Sequence, residues 1–322
     1  MSLVERTRRV LFLMLAAVCL WPAVNAPTAL AGGVVFALVI GNPFAVHVAR
    51  GSGLLLKTCM VGLGFGLPLA TVISAGATGL WVTGLGAAGI LVLGLLLARM
   101  FSLDRHCGGL ISAGTAICGG SAIAAVAPVI GARPETISMS LACVFVLNAV
   151  ALYAFPWVGG VLELSQSEFA TWAAIAIHDT SSVVGAATTY GDQALAEATI
   201  LKLARALWIV PLVLVFMVLN GRAAAPADGK RTRIEWPVFI LLFVIAAGLR
   251  TLLPALEDQF DTIARMARQG LVLALFLIGS GLGVALFRSL GWRPLAHAML
   301  LWLLVSSATL GLVMSGVLPT TW

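Results

Sequence analysis

Two polar, glycine-rich interruptions inside long apolar segments contain most of the residues of this chain that could do chemistry. The first spans Cys118–Ser121 and the second spans His178–Ser182. Hydrocarbon offers no water to an opened backbone, so an unwound helix at membrane depth must be buried in protein or line a cavity. Two such breaks, one with an ionisable pair, therefore predict a binding site near the membrane midplane.

The first break combines conformational freedom with polarity. Gly119 and Gly120 permit backbone conformations that are closed to other residues. A half-helix that begins at Ser121 would present free N–H groups and a positive dipole end, which binds anions. We therefore predict that these three residues and Cys118 contact a substrate. The alternative is a glycine-packed helix crossing, in which small residues let two backbones approach.

The second break carries the adjacent ionisable pair His178 and Asp179. The histidine could carry a proton or donate to an anion. The aspartate could accept a hydrogen bond, coordinate a cation or cap the next half-helix. We predict that the pair couples transport to H+ or Na+, and that the hydroxyls of Thr180, Ser181 and Ser182 contact substrate. The alternative is an interfacial loop in which Asp179 is only an N-cap.

Two cations and one late glycine complete the predicted site. Lys202 and Arg205 lie three residues apart, hence on one helix face, inside an apolar segment. An excess of buried positive charge suits an anionic substrate, although snorkelling to the headgroups would also explain the pair. Gly281, within the stretch Gly279–Gly283, is predicted to border the site where its helix is loosely wound. Such glycine spacing is also typical of helix-packing faces.

Composition places the whole chain in a bilayer. Of its residues, 61% are hydrophobic and 10% are charged, and the mean hydropathy is +1.06. A soluble domain with this balance would have an apolar surface, so we predict an all-α polytopic membrane protein. The net charge of +6 sits at segment ends, which argues against a nucleic-acid partner. The five cysteines form no CxxC, and we expect no metal and no cofactor.

About eleven apolar segments are visible, and we assign them to a single integral domain over residues 1–322. Its halves cover about 28–157 and 167–316, with an extra N-terminal helix at 10–24. The segments are 10–24, 28–42, 53–75, 79–101, 107–131, 135–157, 167–190, 196–220, 234–252, 269–289 and 294–316. Stretches 43–52 and 253–268 are predicted to be amphipathic surface helices, and 221–233 a linker. Gly131 and Gly191 follow the two breaks at matching offsets, which indicates a weak internal repeat of the kind that many transporters carry.

The distribution of Lys and Arg allows two topologies. Both place the N-terminus, with Arg6, Arg8 and Arg9, in the cytoplasm. Eleven full crossings leave Arg133 outside and the acidic loop around Glu163 inside. If the broken segments are instead re-entrant hairpins from opposite faces, nine crossings remain and both anomalies disappear. Each arm would then be about 11 residues, roughly 16 Å of helix, which reaches the midplane.

Several motifs together resemble the YeiH-type sulfate exporter family of bacterial inner-membrane proteins, over nearly the whole chain. They are Gly114–Ala122 (family pattern G-x-x-I-C-G-x-x-A), His178–Val183, Lys202–Arg205 followed by Pro211, Leu63–Gly66, and Gly281-Leu282. The resemblance implies about ten helices in an inverted repeat related to bile-acid/sodium symporter folds, and transport of an anion such as sulfate. Family members often carry arginine in place of Gly66 and glutamine in place of Ser182. Either difference could alter the substrate or the coupling ion.

The leading hypothesis is a secondary transporter, and not an enzyme, for a small anion such as sulfate, sulfite or an organosulfur anion. One bundle would move against another in an elevator-like cycle, in the bacterial inner membrane, with a homo-oligomer as a further expectation. A sodium-coupled organic-anion symporter is the first alternative. The second is an intramembrane enzyme that uses Cys118 and His178 as nucleophile and base.

Overall fold

Helices account for the regular structure in the computed structural model, which describes residues 3–219, 238–283 and 290–319. The predicted linker 221–233 and the end of segment 269–289 lie outside these residues. No strand occurs in the described part, so the all-α prediction is confirmed. The helices are α1 Leu3–Val18, α2 Ala26–Val39, α3 Ala45–Gly64, α4 Leu69–Met100, α5 Arg105–Ala116, α6 Gly120–Val126, α7 Pro134–Val161, α8 Gln166–Ala176, α9 Thr180–Tyr190, α10 Asp192–Ala206, α11 Ile209–Leu219, α12 Val238–Leu252, α13 Glu257–Ser280 and α14 Trp292–Met314.

Five helical stretches in the described residues are long and apolar enough to cross a membrane. They are Leu69–Met100, Pro134–Val161, Asp192–Leu219, Pro254–Ser280 and Trp292–Met314. The chain divides into two compact units, Met1–Ser74 with Val238–Phe287 (unit 1) and Ala75–Pro237 with Arg288–Trp322 (unit 2). The halves predicted over 28–157 and 167–316 stay a prediction.

Unit 1 is built on close contacts between α13 and the helices α2 and α3. A Cβ added at Gly279 would lie 2.4 Å from the carbonyl oxygen of Leu30, and one added at Gly62 would lie 2.6 Å from the Cβ of Ala267. Each distance is far too short for a side chain, so these glycines allow the helices to touch. The late glycine-rich stretch therefore forms a packing face at Gly279, and Gly281 directly follows the end of α13.

Neither predicted surface helix is a separate element. Residues 45–52 are the beginning of α3, and the helix ends at Gly64 because Pro68 lacks an N–H and disfavours helix in the residue before it. Residues 257–268 are likewise the first half of α13. Their acids lie at the start of a membrane helix, where Glu257 and Asp261 pair with Arg250 at 2.9 and 2.5 Å. The extra N-terminal helix predicted at 10–24 lies at Leu3–Val18.

In unit 2 the first broken segment folds back on itself. A Cβ at Gly114 in α5 would lie 3.0 Å from the Cδ1 of Ile123 in α6, so the two half-helices pack side by side. Arg105 at the start of α5 and Ile130 beyond α6 border the same cavity. The segment is therefore an antiparallel hairpin, called hairpin 1, with its tip at residues 117–119.

The second broken segment also folds back on itself. The rings of Phe169 in α8 and Tyr190 in α9 stack at 3.8 Å, and the Tyr190 hydroxyl donates to the carbonyl oxygen of Leu164 at 2.5 Å. Gln166 at the start of α8 accepts from the backbone N–H of Gln193 at 3.0 Å, just beyond α9. This is hairpin 2, with its tip at residues 177–179.

Helix α7 shows that the hairpins enter unit 2 from opposite ends. Near its start Ser140 contacts Cys107 at the base of hairpin 1, and near its end Gly159 packs on Phe169 and Tyr190 at the base of hairpin 2. The segment α10–α11 returns in the other direction, from Gln193 to a contact between Phe216 and Gly109. Each hairpin is thus followed by a crossing element of opposite direction, as an inverted repeat requires. Of the two topologies, the geometry selects re-entrant hairpins.

Candidate functional site

The tip of hairpin 1 depends on a glycine in an unusual conformation. Gly119 has φ +63° and ψ −117°, and its N–H donates to the carbonyl oxygen of Gly114 at 2.8 Å to close the turn. Only glycine adopts such a conformation without strain. Helix α6 then starts at Gly120 without a side-chain cap, and Ser121 in its first turn is exposed. The N–H groups of Gly120 and Ser121 at the start of α6 therefore have no capping side chain from the N-cap residue, while the Cys118 thiol contacts the N–H of Ala122.

The tip of hairpin 2 has a different chemistry, because Asp179 caps α9. Its Oδ2 accepts from the backbone N–H of Ser181 at 3.1 Å and from the Ser181 hydroxyl. The backbone N–H of Asp179 donates to Oδ1 of Asn148 at 3.3 Å, which ties the tip to the middle of α7. Asp179 and Thr180 are partly exposed, whereas Ser181 and Ser182 are buried.

The two tips touch. A Cβ built at Gly119 would lie 3.6 Å from both Cα and Cβ of Asp179 and 3.1 Å from Cγ1 of Val144. The two motifs that the sequence singled out are thus brought to one point inside unit 2.

Arg205 holds the carbonyl ends of both hairpins together. In hairpin 1 its Nε donates to the carbonyl oxygen of Ala116 and its Nη2 to that of Thr115, both at 2.8 Å. In hairpin 2 its Nη1 donates to Ala174 at 3.1 Å and also to Ile175. The residue is 1% exposed. The guanidinium therefore satisfies the last carbonyls of two half-helices, which have no intrahelical donors of their own.

Lys202 reinforces the same end of hairpin 2. Its Nζ donates to the carbonyl oxygens of Ala174 at 3.1 Å and Ile177 at 2.6 Å, and the residue is completely buried. Positive charge at a helix C-terminus is stabilising, because that end of the helix dipole is negative. Both cations point into the protein and not toward a headgroup layer, so the snorkelling alternative is wrong. Their hydrogen bonds go to backbone carbonyls in the last turns of α5 and α8 and to Ile177 at the tip of hairpin 2.

His178 is the least satisfied polar group at the tips. It is 1% exposed, and neither ring nitrogen has a hydrogen-bond partner among the described residues. The Nδ2 of Asn148 is also buried without a partner there. A buried polar group without a partner costs about 1–3 kcal/mol. These atoms are available to a ligand that brings its own hydrogen-bonding groups.

Of the other predicted residues, Cys118 is a buried free thiol at the tip of hairpin 1. Gly281 belongs to unit 1. Among the described residues no cluster of His, Cys, Asp or Glu is suited to hold a metal ion.

Sequence reasoning missed Glu197, a buried acid of α10. It is 7% exposed; its Oε1 accepts from Gln193 at 2.9 Å, and its Oε2 has no partner within the described part of the chain. Its signal was an acid one residue inside the predicted apolar segment 196–220.

Gly119 and Gly120 provide a matched test of the tip. Gly119→Ala would force alanine to a positive φ and press its Cβ on Val144, so we expect it to lower the free energy of unfolding by roughly 1–3 kcal/mol. Gly120→Ala places its Cβ at ordinary distances of 3.4–3.6 Å from Phe145 and Leu141 within a helix, and should be neutral or slightly stabilising. Thermal unfolding of the purified protein measures both variants. Equal midpoints for the two would contradict the assigned tip conformation.

Two re-entrant hairpins that meet tip to tip, in an apolar helical chain with buried cations, define a polytopic α-helical membrane protein. The chain belongs to the family described as conserved hypothetical protein 698, which matches residues 10–298.

Relatives of similar length support this membership. A UPF0324 membrane protein of Geobacter sulfurreducens is 45% identical over 303 residues, which cover 94% of this chain and 95% of the relative. UPF0324 membrane proteins of Bdellovibrio bacteriovorus and Vibrio vulnificus are 42% and 44% identical, over 96% and 93% of this chain and 94% and 96% of their own lengths. No solved structure matches the chain significantly. The names of these relatives agree with the membrane assignment.

Proposed function

We propose that the protein is a secondary transporter of a small anion, with sulfate, sulfite or an organosulfur anion as substrate. The observation that carries this proposal is the meeting of two half-helix tips whose carbonyl ends are held by buried Arg205 and Lys202. Transporters place their binding sites between discontinuous helices near the midplane. Intramembrane ionisable residues are costly and usually functional. Movement of one bundle against another, in an elevator-like cycle, would carry the site across the membrane.

The uncapped start of α6 supports an anion as substrate. In hairpin 2 the positive end of α9 already faces the Asp179 carboxylate, whereas in hairpin 1 the N–H groups at Gly120 and Ser121 have no capping side chain. Two buried basic side chains of α10, Lys202 and Arg205, lie beside the tips, which carry one carboxylate, that of Asp179. An anion at Gly119–Ser121 would offset this positive charge. His178 would donate to the anion or, together with Asp179, carry a coupling proton.

Charge at the two ends of unit 2 supports an orientation. The end where α5 begins, called the basic end, carries Arg99, Arg105, Arg133 and Arg293, with Asp104 and Glu135. The opposite end carries Glu163, Glu168 and Asp192, with no Lys or Arg among its described residues. By the positive-inside rule the basic end faces the cytoplasm. We further propose the bacterial inner membrane, a cytoplasmic N-terminus and membership of the YeiH-type sulfate exporters.

A sodium-coupled organic-anion symporter is the second candidate. It is favoured by the carboxylate of Asp179 and the hydroxyl of Ser181, which place oxygen ligands suited to a hard cation at one tip. It predicts that flux requires sodium, which proton coupling does not. An enzyme that uses Cys118 and His178 would lose all turnover in Cys118→Ser, whereas a carrier would keep most of its flux.

Flux of labelled sulfate into proteoliposomes, with and without a proton or sodium gradient, tests the proposal. Two isosteric variants probe the anion position. Ser121→Asp puts a negative charge at a helix start, which favours the helix but repels an anion, so we expect at least a tenfold loss of flux with unchanged stability. Ser121→Asn should keep most of the flux. Equal flux in both variants would place the substrate elsewhere, and no flux of any tested anion in the folded wild type would reject the anion carrier.

A further inference from the structure

A cavity of about 400 Å³ lies at the basic end of unit 2, at the opposite end of α5 from the hairpin tip. Three basic side chains line it, those of Arg99, Arg105 and His106. Its remaining wall is mainly apolar and includes Leu95, Ile130 and Phe216. A cavity of this size can hold a small ligand or the polar part of a larger one.

The cavity is basic. None of the described residues that line it is acidic. The adjacent carboxylate of Asp104 accepts from the backbone N–H groups of His106 and Cys107 at 3.1 and 3.2 Å, so it serves as the cap of α5. Arg105 donates from Nη2 to the carbonyl oxygen of Leu219 at 3.3 Å, which leaves the other N–H groups of its guanidinium for a ligand.

Arginines beside an apolar wall, at the end of a membrane protein, favour a ligand that has both an anionic group and an apolar part. Arginine binds phosphate oxygens through two parallel N–H groups. Basic pockets between membrane helices bind anionic lipid headgroups. We propose that this cavity binds the headgroup of an anionic phospholipid, with its phosphate between Arg99 and Arg105. Its acyl chains lie along the side formed by Leu95 and Phe216. This site is separate from the hairpin tips and does not depend on the proposed transport.

Thermal unfolding of the full-length protein in a neutral detergent tests the site. We expect short-chain phosphatidylglycerol to raise the unfolding midpoint by about 2–5 °C, because a ligand that binds only the folded state stabilises it. Phosphatidylcholine of the same chain length should give less than half of that shift. Arg99→Gln and Arg105→Gln should each lose at least half of it, and Arg133→Gln, at the same end but outside the cavity lining, should keep it.

Three results of this experiment would overturn the proposal. The first is an equal shift with phosphatidylcholine, and the second is a full shift in both cavity variants. The third is an equal shift with free glycerol phosphate, which would identify a soluble anion as the ligand. Native mass spectrometry of the wild type provides a readout that needs no variant. It should show phosphatidylglycerol retained in preference to phosphatidylcholine from an equimolar mixture, and equal retention of the two lipids would contradict the site.

Discussion

Arg205→Met should destabilise the protein by at least about 3 kcal/mol and strongly reduce the yield of monodisperse protein. The substitution keeps an apolar stem but removes every donor that joins the two hairpins. The carbonyl oxygens of Thr115, Ala116 and Ile175 would lose their Arg205 donor, and Ala174 would keep only Lys202. Each buried acceptor left unsatisfied costs about 1–3 kcal/mol. Size-exclusion profiles and thermal unfolding in detergent measure the effect.

Two further variants show whether the guanidinium geometry matters. Arg205→Lys restores the charge but has a single ammonium in place of the fork, so it should serve one hairpin and recover only part of the stability. Arg133→Met removes an exposed arginine at the start of α7 and should leave the unfolding midpoint unchanged. If Arg205→Met were as stable as Arg133→Met, the bridge between the hairpins would not hold the tips together.

Asp179→Asn should abolish the response of transport to an ion gradient while it leaves the fold intact. Asparagine is as good an N-cap as aspartate, so the hydrogen bond from the N–H of Ser181 can persist. The negative charge that would bind H+ or Na+ is lost. We expect the free energy of unfolding to change by less than about 1 kcal/mol. The measurement compares counterflow driven by substrate alone with flux driven by each gradient in proteoliposomes.

A comparison of Asp179→Ala with Asp179→Asn separates the effect of the N-cap from the effect of the charge. Asp179→Ala loses both the cap and the charge, so it should be less stable than Asp179→Asn by about 1 kcal/mol and equally uncoupled. If Asp179→Asn kept gradient-driven flux at the wild-type rate, the proposed role of Asp179 in ion coupling would be wrong. Loss of stability in both variants to the same extent would show that charge, and not capping, is what the tip requires.

The breaks at 118–121 and 178–182 could be predicted because glycines and ionisable residues in apolar segments are local signals. The fold-back could not be read from them, since two half-helices of about 11 residues fit either a crossing or a hairpin. The placement of Arg133 and Glu163 was the indirect signal, because only hairpins put both on the side that the positive-inside rule expects.

The burial of Arg205 could be predicted from the sequence, but its hydrogen-bond partners could not. Its position inside an apolar helix predicted a buried cation, and the structure places it there. Its acceptors, however, are backbone carbonyls 89 and 90 residues earlier in the chain and 30 and 31 residues earlier. A hydrogen bond to a backbone carbonyl does not depend on the type of the accepting residue, so the sequence does not reveal it. The helix starts within 43–52 and 253–268 were missed for a different reason, since polar residues in the first turns of a long helix resemble those of a separate surface helix.

The same separation along the chain sets an order for biogenesis. Hairpin 1 leaves the ribosome about 90 residues before the arginine that satisfies its carbonyl ends. At about 5–20 residues per second, roughly 4–18 s pass between the two. Until then the tip of hairpin 1 has no donor for Thr115 and Ala116, and burial in lipid would be costly. We therefore expect hairpin 1 to reach its final depth only after α10 has been synthesised.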